Sequence, residues 1–281
     1  MTDRPRGLGV LVGVDGSDHS LAAARWGAGE AVARRVPLTL CRVVPGVADG
    51  AEFDRQSDAV RHDLDRAVRQ PELAAGGTEL KRLVVAGTAS RELVALGRDA
   101  DLLVVGARGR GGFAGLLLGS VGDQVATHAP GSVVVVREHL ERPAAPVFLG
   151  VDDAPGTSVA VGYAFDLAGR DDRALVAVYS YPPPVALPDL GYLPVSTQTH
   201  AEDRARSFVD GVLMPWRDKY PEVTVDVQVT ARRPAVALCE ASVDAHLLVV
   251  GATGRPAFAG LLGGVTRKAL HHARCPVVVA R

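Results

Sequence analysis

Residues 99–106 read Asp99-Ala100-Asp101-Leu102-Leu103-Val104-Val105-Gly106, and residues 244–251 read Asp244-Ala245-His246-Leu247-Leu248-Val249-Val250-Gly251. Four apolar residues that begin after polar ones and stop at glycine read as a buried strand running into a turn. Working outward, the copies continue. Upstream, Val12-Gly13-Val14-Asp15-Gly16-Ser17 returns as Leu149-Gly150-Val151-Asp152-Asp153-Ala154. Downstream, Gly109-Arg110 and Phe113-Ala114-Gly115-Leu116-Leu117 return as Gly254-Arg255 and Phe258-Ala259-Gly260-Leu261-Leu262. Val133-Val134-Val135-Val136 returns as Val277-Val278-Val279. Matches in the same order along both halves mean a duplication. The boundary falls between Arg137 and Pro146, a charged and then Pro/Ala-rich stretch stiffened by its prolines. We therefore expect two domains, residues 1–140 and 145–281.

Each half alternates strand and helix. In the first, strands are expected at Gly9–Val14, Leu38–Val44, Leu80–Ala86, Leu102–Val105 and Val133–Val136, with a helix starting near Ser17 or Asp18, either of which can cap it. The second half repeats the plan from Val147, Leu175, Val225, Leu247 and Val277. Five strands separated by helices predict an α/β fold, a doubly wound parallel sheet in each domain. Composition agrees: 47% hydrophobic residues with only 5% aromatic ones imply an aliphatic core, as strands buried on both faces require. One segment breaks the symmetry. Tyr181-Pro182-Pro183-Pro184 through Pro194 is a proline-rich insertion that can be neither helix nor central strand.

Charge and cysteine usage exclude several classes. Thirty-one basic against 32 acidic residues give no basic stripe, so nucleic acid is not an expected partner. Cys41, Cys239 and Cys275 form no CxxC pair, which argues against a disulfide framework and a zinc site. No apolar run is long enough to span a bilayer, and Met1–Arg6 leads into the first strand without a leader-like region. A soluble, reducing, cytoplasmic setting is the expectation.

The candidate site begins at Gly106-Ala107-Arg108-Gly109 and resumes, nine residues on, at Gly119-Ser120-Val121. It starts where a strand ends and finishes where a helix starts. In an open parallel sheet ligands bind beyond the carboxyl ends of the strands. Glycines there bring backbone N–H groups close to an anion, and the free N–H groups of Gly119, Ser120 and Val121 would meet a phosphate with help from the helix dipole and the Ser120 hydroxyl. Gly109-Arg110-Gly111-Gly112-Phe113-Ala114 fits G-x-G-x-x-A formally, but it follows the fourth strand rather than the first. No G-x-x-x-x-G-K-[ST] run occurs.

The spacing Gly106-x2-Gly109-x9-Gly119-Ser120 resembles the ATP-binding signature of universal stress proteins. So do a first strand ending in Asp15 after Gly13, and His128-Ala129-Pro130 before the last strand. The resemblance covers nearly the whole chain, twice. It implies strand order 3-2-1-4-5 with helices on both faces, and bound ATP; chemistry on the γ-phosphate would need Mg²⁺ as well. Asp15 would lie near the adenosine, the Val43 backbone would meet adenine, Gly109, Gly119 and Ser120 would hold phosphates, and Arg108 would sit beside them. It also implies pairing through last strands, between the halves of a tandem chain or between chains.

The second half departs from this pattern. Its counterparts are Asp152, Gly251 and Gly254. Aligned backward from Cys275-Pro276, Gly263 and Gly264 replace Gly119 and Ser120; counted forward, Gly264 and Val265 do. Either way the hydroxyl is lost and the second site is expected to be weaker. Ser180 stands where Val43 does. His271 and His272 are adjacent, so on a helix they point about 100° apart and do not share a metal. No nucleophile elbow or H-E-x-x-H run is found. Two function classes remain: a nucleotide-dependent regulator, and a slow ATPase or phosphotransferase, which lacks an obvious base in the motif. A nucleotide-free interaction protein stands third, against the intact glycine and serine spacing.

Overall fold

The computed structural model describes residues 7–45, 60–69, 77–110, 117–137, 144–154, 156–182, 195–252 and 262–281. Gly254, the 111–114 part of the dinucleotide look-alike, linker residues 138–143 and proline-rich residues 183–194 lie outside them. The chain divides into two compact units, Met1–Leu140 and Glu141–Ala280.

The first unit runs β1 (Val10–Gly13), α1 (Asp18–Arg34), β2 (Leu38–Val44), a helix over 60–68 (α2), β3 (Leu80–Ala86), α3 (Ala89–Leu96), β4 (Leu102–Gly106), α4 (Ser120–His128) and β5 (Val133–Val136). All pairings are parallel. Val10 lies opposite Leu38 on one side and Leu102 on the other, β3 adds beyond β2, and β5 beyond β4. The order is therefore β3-β2-β1-β4-β5, as expected. Leu11, Leu40, Val104 and Val134 are fully buried, which a sheet covered on both faces demands.

Side-chain alternation along β1 shows how the helices divide. Gly27 of α1 faces the Val10 and Val12 side chains, whereas Leu93 of α3 faces Gly13. Alternate residues of a strand point to opposite faces, so α1 and α3 cover different sides, with α4 packed against α3. Ser17, not Asp18, is the N-cap of α1, and its hydroxyl accepts the Ser20 N–H at 3.3 Å.

The second unit runs β6 (Val147–Val151), α5 (Thr157–Arg170), β7 (Leu175–Ser180), α6 (Val195–Lys219), β8 (Val225–Thr230), α7 (Pro234–Ala241), β9 (Leu247–Gly251), α8 (Gly264–His272) and β10 (Val277–Ala280). Val147 lies opposite Leu175 and Leu247, which repeats the register of Val10 and yields the order β8-β7-β6-β9-β10. The register makes Asp152 the counterpart of Asp15, Tyr179 of Arg42 and Ser180 of Val43. Its core is less purely aliphatic than composition implies. Buried Phe165 on α5 meets Trp216 of α6 and Tyr220 just past its end, at ring separations of 6.3 and 5.8 Å.

Candidate functional site

A cavity of about 500 Å³ opens at the carboxyl ends of β1, β2 and β4. Neighbouring strands β1 and β4 lead there to connections on different faces of the sheet, so a crevice forms between them. Cys41, Ala89, Leu93 and Val105 supply its apolar lining, and Asp15, Arg42, Arg108 and Arg110 its charged lining.

The glycine turn is closed by two backbone hydrogen bonds. Ala107 N–H donates to the Val136 carbonyl at 2.7 Å, and Gly119 N–H to the Ala107 carbonyl at 2.7 Å. This corrects one expectation: the Gly119 amide is committed to the protein and is no phosphate donor. The donors lie one step later. Ser120, Val121 and Gly122 open α4, and their N–H groups have no protein acceptor among the described residues. Gly119 offers no capping side chain. Among the described residues, a β-carbon at 119 would meet nothing nearer than the Ala107 oxygen at 3.5 Å.

Asp15 organises the other side of the turn. Its Oδ1 accepts the Ser17 N–H at 3.0 Å and the Ser17 hydroxyl at 2.6 Å, while Oδ2 accepts the Arg110 N–H at 2.9 Å. Burial pushes its carboxyl pKa upward, but these bonds, led by the Ser17 hydroxyl and helped by Ser20, outweigh burial and hold it below its ordinary value. Gly109 is required by contact: a β-carbon there would overlap Asp15 Oδ2. The Arg108 carbonyl accepts the Ser17 hydroxyl at 3.3 Å, and its guanidinium Nε donates to His19 Nε2 at 2.9 Å.

Gly13, Asp15, Gly106, Arg108, Gly109, Gly119, Ser120 and Val121 thus all line one cavity. Val43 does not. It is buried within β2, and Cys41 and Arg42 face the cavity from that strand instead. Burial, aided by the charge of Glu92, pushes the Cys41 thiol up to about 12, so it lines the cavity as an apolar group rather than as a nucleophile. Reasoning from the motif missed Ser20, Cys41, Arg42 and Arg110. Arg42 stands inside the apolar run Leu38–Val44 and Arg110 among glycines after β4, so neither carried a motif signal of its own.

The second unit keeps the backbone frame and changes the side chains. Ala252 N–H donates to the Ala280 carbonyl and Gly263 N–H to the Ala252 carbonyl, both at 3.1 Å. Gly263 is therefore the counterpart of Gly119, and Gly264, the first residue of α8, that of Ser120. The backward alignment is the correct one. Gly251 ends β9, and its carbonyl accepts the Thr266 hydroxyl at 2.8 Å, where Gly122 has no side chain. Asp152 accepts the Ala154 N–H at 3.1 Å and the Thr157 hydroxyl. Tyr179 replaces Arg42, and burial followed by the charges of Asp153 and Asp152 raises its phenol pKa.

Comparison with known proteins agrees with this architecture. The model of the universal stress protein family matches residues 9–137 and again 145–281. Universal stress protein Rv1996 of Mycobacterium tuberculosis is 34% identical over 309 residues, covering 100% of this chain and 97% of its own. Rv2623 of the same organism is 35% identical over 290 residues, covering 98% and 96%. The crystal structure of a universal stress protein from Archaeoglobus fulgidus superposes with a TM-score of 0.73 at 16% identity, covering 99% of both chains, a likeness of fold. No helix among the described residues is long and apolar enough to cross a membrane.

Proposed function

The chain belongs to the universal stress protein family, and on that premise we propose that its first domain binds ATP and that the protein is a nucleotide-dependent regulator of the stress response. The first turn of α4 carries this reading. Three backbone N–H groups without an acceptor among the described residues stand beside the Ser120 hydroxyl on the wall of a cavity of about 500 Å³. Such a helix start attracts anions through its free donors and its dipole. The apolar lining from Cys41, Ala89, Leu93 and Val105 suits a flat base, and Asp15, which can only accept, suits ribose hydroxyls. Mg²⁺ would arrive with the triphosphate. The second domain, lacking the hydroxyl at Gly264, binds the same ligand more weakly, by roughly one to two decades.

Regulation is favoured over turnover. Asp15 is the acidic residue of the cavity lining, and its depressed pKa and three donors make it a poor proton acceptor. ATP then acts by binding one conformational or assembly state better than another.

Calorimetric titration of the full chain with ATP tests the reading, beside mass analysis of whatever small molecule the denatured protein releases. The expected result is ATP binding that Ser120→Ala weakens about tenfold. No binding heat and no released adenine nucleotide would sink the proposal. Single-turnover hydrolysis that Gly109→Asp abolishes would favour the enzyme, and sedimentation with and without ATP reads any effect on self-association.

A further inference from the structure

One ion pair beside the cavity is more elaborate than turn formation requires. Arg110, immediately after Gly109, donates from Nη2 to Asp63 Oδ1 on α2 at 2.6 Å. The Asp63 side chain is only 6% exposed, and its other oxygen lies 3.7 Å from Arg42 Nε. The pair crosses directly over the turn between β1 and α1. Gly16 there has φ +79°, and a β-carbon on it would overlap both the guanidinium and the carboxylate. Arg66 of α2 holds the same turn by donating to the Gly16 carbonyl at 3.4 Å. Arg110 is thus fixed at both ends, its backbone N–H on Asp15 and its head on Asp63.

The rest of that head is uncommitted among the described residues. A guanidinium has five N–H donors in a rigid fork. Only Nη2 is bonded among the described residues, and the side chain remains 52% exposed where Arg110 lines the cavity. Asp63 cannot act on a ligand itself, because it is buried and does not line the cavity. Arg42 and Arg110 both approach the Asp63 carboxylate, and with Arg66 on the Gly16 carbonyl three arginines stand around the two carboxylates Asp63 and Asp15. A half-exposed cation on the charged lining is placed for the distal phosphates of a nucleotide rather than for a base among Cys41, Ala89 and Leu93.

We infer that Arg110 contacts the β- or γ-phosphate, so that the site counts phosphates, and that Asp63 is the positioning residue holding its fork toward them. The inference rests on the ATP reading above. It belongs to the first domain alone, because Asp153 stands where Gly16 clears the path of the ion pair.

ATP and AMP titrations of the wild type, Arg110→Gln, Asp63→Asn and the double variant test it, with circular dichroism confirming that each is folded. Arg110→Gln is expected to weaken ATP about tenfold and AMP by less than about twofold. Asp63→Asn keeps an acceptor oxygen in place and should weaken ATP less, while leaving AMP unchanged. The double variant should be no worse than Arg110→Gln, since both changes remove one contact. Equal losses for ATP and AMP, or additive losses in the double variant, overturn the inference and leave the ATP reading standing. A wild type that binds neither nucleotide overturns both.

Discussion

Asp63 and Arg110 meet 2.6 Å apart across the backbone of Gly16, joining helix α2 to the glycine turn of β4 over the end of β1. The contact exists only because residue 16 has no side chain. Gly16→Ala is therefore expected to lose about 1–2 kcal/mol from its left-handed backbone alone, and more from parting a buried carboxylate from its cation. Urea unfolding of the variant checks this; a midpoint unchanged from the wild type contradicts the crossing geometry.

Gly109→Ala should separate folding from binding. Its β-carbon presses on Asp15 Oδ2, which holds the Arg110 amide, so the damage falls on the turn rather than on the sheet. We expect a folded protein whose ATP affinity is reduced at least about tenfold. Titration calorimetry reads that loss, and circular dichroism should be close to the wild type.

The strands and their spacing were legible because Val and Leu runs buried on both faces leave little ambiguity, as Leu102–Val105 and Leu247–Val250 show. Strand order came from the resemblance, not from the pattern. The site was readable where chemistry is local: Asp15, Gly109 and Ser120 lie within short motifs. It was not readable where it depends on contacts between distant segments. The Gly119 amide is taken by Ala107 because the turn folds back on itself, and Asp63 comes from a helix with no motif of its own. Val43 was displaced by its neighbours for a geometric reason, since the cavity meets β2 at Cys41 and Arg42, before the strand's last two residues.

Acid should weaken the fold through Asp15. Its folded pKa lies below the ordinary 3.8, so the unfolded chain binds its proton first. The stabilisation is complete above the unfolded value and disappears as pH falls from about 4 through the folded value. Asp15→Asn is expected to be less stable at pH 6, with the gap to the wild type closing toward pH 3. Urea midpoints across that range check the sign, and a gap that widens on acidification would contradict the hydrogen-bond account.

Gly264→Ser offers a gain-of-function counterpart. A β-carbon at 264 meets no atom of the described residues within 4 Å, so the added side chain has room among them. It restores the hydroxyl at the first residue of α8 and should strengthen ATP binding in the second domain by several-fold to about tenfold. The comparison is cleanest in a Ser120→Ala background, where the first domain contributes less to the titration.

In the second domain, Phe165 is fully buried between helices α5 and α6 against Trp216 and Tyr220. Phe165→Ala is expected to cost about 3–5 kcal/mol, and a urea melt that leaves the transition in place would argue against this aromatic group as the centre of the core.

Ala107 with Gly119, and Ala252 with Gly263, each clasp the two ends of a cassette of sequence between strand and helix. One cassette is a residue shorter than the other, yet both helices begin right after the clasp. Insertions and deletions there can accumulate without moving the helix start. A loop exchanged between the clasps would leave Ser120 and Gly264 at their helix starts, within a single molecule that carries its own reference.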